Sequence, residues 1–153
     1  GPRMGFKHVI PHLVERFYKF KENPFKIYGA KQTRAFCYVT DAVRATVLAM
    51  EDKLSNQEIY HIGSSEEISI ERLTKEIGEM MDYNGSYIDA PTYPGSVSRR
   101  CPDISKSVDK LGYSPRVNWL EGLKQTISWY IDFFDSGLPI SSGGFKAPDQ
   151  LKY

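Results

Sequence analysis

The sequence is punctuated by apolar runs too short and too few to close a sheet by themselves. Phe25-Lys26-Ile27-Tyr28 alternates in the manner of a strand and stops at Gly29. Arg34-Ala35-Phe36-Cys37-Tyr38-Val39 reads as an extended segment rich in aromatic and β-branched residues. Ile59-Tyr60-His61-Ile62 ends in a turn at Gly63, and Tyr87-Ile88 makes a brief further strand. Helical patterns separate these runs, so the class is α/β, with few short strands alternating with helices. A free sheet this small leaves edges and faces uncovered, which implies a partner segment.

The helical patterns carry their own punctuation. From Pro11, the residues Leu13, Val14, Phe17 and Phe20 share one face, and Asn23-Pro24 ends the run. Thr40 is expected to cap a helix that buries Val43, Val47 and Met50. Ser69 caps another, with Ile70, Leu73, Ile77 and Met80 on one side. Asn84-Gly85 marks a turn, before a loop from Pro91 to Pro94. Asp103 opens a short helix that points Ile104, Val108 and Leu111 inward and stops at Gly112. Asn118 and Glu121 resemble a capping box for the longest helix, whose apolar face is Leu120, Leu123, Ile127, Ile131 and Phe134. The pattern dissolves after Gly137, so residues 138–153 read as a flexible tail.

With 153 residues, one compact domain is expected. A net charge of +1 gives no support to a nucleic-acid partner. No apolar run approaches the ~18 residues of a membrane span, and no basic stretch followed by an apolar one marks a secretory signal. Cys37 and Cys101 lie far apart without metal-ligand spacing, which fits reduced thiols in a cytoplasmic protein and no metal.

A series of motifs then occurs in order: Gly1-Pro2-Arg3-Met4, Lys26-Ile27-Tyr28-Gly29, Gln32-Thr33-Arg34-Ala35-Phe36, Tyr38-Val39-Thr40-Asp41, Tyr60-His61-Ile62-Gly63, the Arg99 to Lys106 segment, and Leu111-Gly112-Tyr113-Ser114-Pro115. Together they resemble the C-terminal part of the extended short-chain dehydrogenase/reductases, the NAD-dependent nucleotide-sugar epimerases, 4,6-dehydratases and decarboxylases. The resemblance implies a nucleotide-sugar substrate whose C4 is oxidised by NAD, and a homodimer in the full enzyme. It makes residues 1–137 the substrate-binding portion, with Gly1 falling just past the half that carries the cofactor turn and a Tyr-x-x-x-Lys pair. Neither motif occurs in this sequence. No catalytic and no cofactor-binding residue is therefore expected here. The competing expectation is a nucleotide-sugar-binding or interaction module without catalysis.

The resemblance also implies substrate contacts. Arg34 matches the arginine that meets the substrate phosphates, a role suited to its planar, permanently charged fork. A second phosphate-binding arginine is Arg99 or Arg100: an epimerase-like pattern selects Arg99 and a decarboxylase-like one Arg100. Adjacent residues point apart, so one binds and the other faces water. Ile27 and Tyr28 match the strand along the nucleotide base. His8 occupies a position of polar substrate contacts, where a helix N-terminus would also favour an anion. His61, Asp41 and Asp103 read as residues that fix turns and helix starts rather than as acid–base groups.

Overall fold

The computed structural model describes residues 1–53, 57–92 and 94–137. The expected tail, residues 138–153, and Tyr93 of the Pro91–Pro94 loop lie outside them. The described residues form α1 (Val9–Tyr18), β1 (Phe25–Tyr28), β2 (Thr33–Ala35), α2 (Val39–Glu51), β3 (Glu67–Ser69), α3 (Ile70–Met80), β4 (Tyr87–Ala90), β5 (Arg99–Arg100), α4 (Ser105–Leu111) and α5 (Trp119–Asp135).

Local chemistry sets several of these boundaries. The Ser69 side chain accepts a hydrogen bond from the Arg72 amide and caps α3, and Asn118 does the same for α5 through the Leu120 amide. Gly112 ends α4 in the left-handed region, at φ 61°. Pro11 lies inside the first turn of α1 rather than at its start, since His8 is the extended residue that precedes the helix.

Two small sheets result. β1 and β4 pair in parallel, from Phe25 opposite Tyr87 to Tyr28 opposite Ala90. In the second sheet β2 is central, antiparallel to β3 and parallel to β5. Its register sets Arg34 opposite both Ile68 and Arg100. The main core lies between β1, α1, α3 and α5, and buries Val14, Phe25, Ile27, Leu73, Ile77 and Tyr130. Each such apolar side chain contributes about 1.5–3 kcal/mol when fully buried. Phe17 stacks on Phe25 with ring centroids 3.8 Å apart, and the Tyr130 hydroxyl donates to the Met4 carbonyl, tying the first residues to α5.

Several helical expectations are corrected. Val43, Val47 and Met50 of α2 are 57%, 43% and 80% exposed. α2 instead turns Asp41 and Ala45 inward. The Asp41 carboxylate accepts the Arg116 and Val117 amides at 2.8 and 2.9 Å and pairs with Arg44 at 2.7 Å. Burial pushes that carboxyl up, but these bonds outweigh it and hold it below the usual aspartate range. Such a buried carboxylate fixes the helix rotation more tightly than valine side chains could. Tyr38, not Thr40, precedes α2, and the extended run from Arg34 leaves the sheet after Ala35. Phe20 and Val108 also face solvent.

Ile59–Ile62 pairs with no strand among the described residues, and Ile59 is 78% exposed. Two side chains hold the end of the segment. Ser107 Oγ donates to the His61 carbonyl at 2.5 Å, and Tyr113 Oη donates to the Gly63 carbonyl at 2.8 Å.

Candidate phosphate-facing site

The site begins at a turn. Gly29 adopts φ +67°, which glycine tolerates without a Cβ penalty, and a Cβ there would meet the Gln32 side chain at 2.9 Å. The Gln32 amide closes the turn on the Gly29 carbonyl at 2.9 Å. The Ala30 and Gln32 carbonyls accept the Glu71 and Ile70 amides, so the start of β2 is fixed to the start of α3.

This platform aims Arg34. Its Nη1 donates to the Thr33 carbonyl at 2.7 Å, and its Nη2 donates to Gln32 Oε1 at 3.1 Å and the Val97 carbonyl at 2.9 Å. Gln32 Oε1 is itself held by the Ser96 hydroxyl at 2.9 Å. A guanidinium has five donors. Three are committed to neutral acceptors, which leaves Nε and one Nη1 hydrogen for another partner. No carboxylate touches Arg34 among the described residues. Burial lowers its pKa, and the neighbouring charge of Arg100 adds to that effect.

The register separates the two adjacent arginines. Arg100 lies opposite Arg34, and paired residues in a sheet share a face. Arg100 is exposed and pairs with no carboxylate among the described residues. Arg99 points to the other face, opposite Thr33. There it grips Glu67, with Nε at 2.9 and 3.0 Å and Nη2 at 2.6 Å from the carboxylate oxygens. The Arg99 guanidinium, helped by the Thr33 hydroxyl, holds the Glu67 carboxyl below its usual range.

The remaining expected contacts are dispersed. Ile27 is 2% exposed, and its side chain belongs to the core rather than to a free stacking surface. Tyr28 is half-buried at the end of β1, in the other sheet. His8 is exposed at the start of α1, and its side chain makes no capping bond. Sequence reasoning passed over Glu67. The alternation of Glu67 with the capping Ser69 was the one available signal, because it turns Glu67 toward the face of Thr33.

The chain as a whole is similar to known proteins. Residues 1–63 match the model of the NAD dependent epimerase/dehydratase family. The chain is 36% identical over 137 residues to a UDP-N-acetyl-alpha-D-glucosaminuronate decarboxylase of Bacillus cytotoxicus, covering 85% of this chain and 41% of that protein. It is 35% identical over 141 residues to the dTDP-D-glucose 4,6-dehydratase of Homo sapiens, covering 88% of this chain and 39% of that protein. These matches make the chain similar to members of the NAD-dependent epimerase/dehydratase family. Among solved structures, it resembles a UDP-glucuronic acid 4-epimerase from Bacillus cereus in complex with UDP-glucuronic acid and NAD. The TM-score is 0.77 at 28% identity, over 87% of this chain and 42% of that one. The chain thus spans about two fifths of the length of the relatives it matches.

The α/β architecture expected from the sequence is the one observed, and it is shared with these epimerases and dehydratases. The junction from β3 to α3 does not fit the pyrophosphate of a dinucleotide. Such a group needs free amides at a glycine-rich turn from strand to helix. Here β3 runs directly into α3 without glycine, and the Ile70, Glu71 and Arg72 amides are already bonded to Gln32, Ala30 and Ser69. Among these residues, no three His, Cys, Asp or Glu side chains gather as metal ligands, and no helix is long and apolar enough to cross a membrane.

Proposed function

We propose that residues 1–137 form the substrate-binding portion of an NAD-dependent nucleotide-sugar epimerase or dehydratase, with Arg34 and Arg100 receiving the pyrophosphate. The observation that carries this reading is the shared face of β2 and β5. Two guanidinium groups face the same way there, crowd each other's charge, and meet no carboxylate among the described residues. A pyrophosphate would relieve that repulsion with charge-assisted bonds, each worth roughly 1.5–3 kcal/mol. Arg99, already neutralised by Glu67, is the arginine left out. Tyr28 would flank the base, with Ile27 packed in the core beneath the same strand, and His8 would add a polar contact at the start of α1. The contribution of this portion to catalysis is orientation of the sugar. No catalytic residue is assigned to it.

The outer face of α2 supports a partner for this portion. Val39, Val43, Val47 and Met50 form one exposed apolar stripe, and Gly1 lies against Val39. Among the described residues Ile59–Ile62 pairs with no strand, and the side chains of Ser107 and Tyr113 bond the His61 and Gly63 carbonyls. An apolar stripe beside an unpaired strand-like segment is a surface that calls for cover. The occupant we assign is a cofactor-binding α/β portion, of the kind that would fill the rest of the relatives' length.

Calorimetric titration of the full chain with UDP, GDP, CDP and dTDP tests the site. At least one should bind, and Arg34→Ala should weaken it by roughly 1.5–3 kcal/mol, the worth of a hydrogen bond to a charged group. Failure of all four to bind, or an unchanged Arg34→Ala variant, would remove the phosphate reading. Amide exchange tests the partner: α2 and residues 57–63 should exchange more slowly when such a portion is joined to the chain. Unchanged exchange would remove that partner.

A further inference from the structure

Among the described residues β1 has one strand neighbour, yet both of its edges are bonded. The Phe25 amide donates to the Ser86 carbonyl at 2.8 Å, on the side of β4. Strand alternation turns the peptide groups of Lys26 to the opposite edge, where no strand lies among the described residues. An ion pair takes the strand's place. Glu22 Oε1 accepts the Lys26 amide at 3.2 Å, and Arg16 Nη2 donates to the Lys26 carbonyl at 2.6 Å. The two side chains are joined by Arg16 Nε and Glu22 Oε2 at 2.8 Å.

Arg16 is 6% exposed, an unusual position for an arginine on a short helix. Its guanidinium lies 4.2 Å from the Phe25 ring centroid and 5.5 Å from that of Tyr28. One planar cation therefore fixes the strand edge, its first residue and its last. Core burial alone would be served as well by leucine or methionine, without the cost of desolvating a charge.

We propose that Arg16, locked by Glu22, is a positioning residue that sets the Tyr28 ring and the Gly29 turn for the nucleoside part of the substrate. This rests on the nucleotide-sugar reading given above. A nucleoside-positioning role differs from general support of the fold, because it separates recognition of the base from recognition of the phosphates on the other sheet.

The test titrates the full chain and its Arg16→Met, Arg16→Lys and Glu22→Gln variants with UDP, GDP, CDP, dTDP and inorganic pyrophosphate. Arg16→Met should weaken the bound nucleoside diphosphate by about tenfold or more while pyrophosphate stays within about twofold. Arg16→Lys keeps the charge but not the planar fork, and should not restore binding. Glu22→Gln should give a smaller loss with the same selectivity for the nucleoside. Unchanged nucleoside diphosphate binding in Arg16→Met, or an equal loss of both ligands, would overturn the proposal. If Arg16→Met shows no cooperative melting, Glu22→Gln decides, and equal affinity there overturns it. If the unsubstituted chain binds none of the four nucleoside diphosphates, the proposal falls together with the substrate reading.

Discussion

The two faces of the three-stranded sheet carry the same residue type to opposite outcomes. On one face Arg34, anchored by carbonyls and an amide oxygen, stands beside Arg100, and neither meets a carboxylate among the described residues. On the other, Glu67 accepts from both Arg99 and the Thr33 hydroxyl in a closed surface network. The arginines at 99 and 100 are sequence neighbours, and only the pleat separates them. An arginine's capacity for an anion is thus set by whether the fold supplies a carboxylate first.

The largest expected contrast between these faces is in stability. Ile68 shares the face of Arg34 and is 1% exposed, whereas its neighbour Glu67 is exposed on the other face. Ile68→Ala should cost about 2–5 kcal/mol in chemical denaturation, the usual range for emptying a core site. Glu67→Gln should leave the denaturation midpoint unmoved, because exposed ion pairs contribute little. Comparable losses for the two would mean that Ile68 is not the core residue, or Glu67 not the surface residue, of these strands.

A smaller effect should appear in anion binding. The Glu67 carboxyl is held below its ordinary range by Arg99, so the pair is intact above that range and is lost as pH falls through the depressed value. Release of Glu67 would free Arg99. At neutral pH, Glu67→Gln should therefore tighten pyrophosphate binding by a few-fold at most, a modest electrostatic gain. Arg99→Ala should begin to matter only in acid. A strong effect of Arg99→Ala at neutral pH would erase the distinction between the faces.

Much of the fold was legible because local rules and packing agreed. Ser69 and Asn118 cap where their side chains predict, and Ile70, Leu73 and Ile77 are buried at helical spacing. α2 has an equally regular valine stripe, yet it is exposed. Periodicity identifies an apolar face but not the element that covers it, and α2 is oriented by Asp41 reaching amides 75 and 76 residues away. No local pattern carries that information. Ile59–Ile62 has strand composition without a strand partner among the described residues for the same reason: pairing is a property of two segments. At the site, the residue types were legible and their sides were not. The choice between Arg99 and Arg100 depends on a register between β2 and β5 that spans 66 positions.

The division between the two faces is tested most directly by calorimetric titration of one nucleoside diphosphate into the Arg100→Ala and Arg99→Ala variants at neutral pH. The expected result is a loss of about tenfold for Arg100→Ala and a change within about twofold for Arg99→Ala, matching one charge-assisted contact removed and none. An unaffected Arg100→Ala beside a weakened Arg99→Ala would contradict the account.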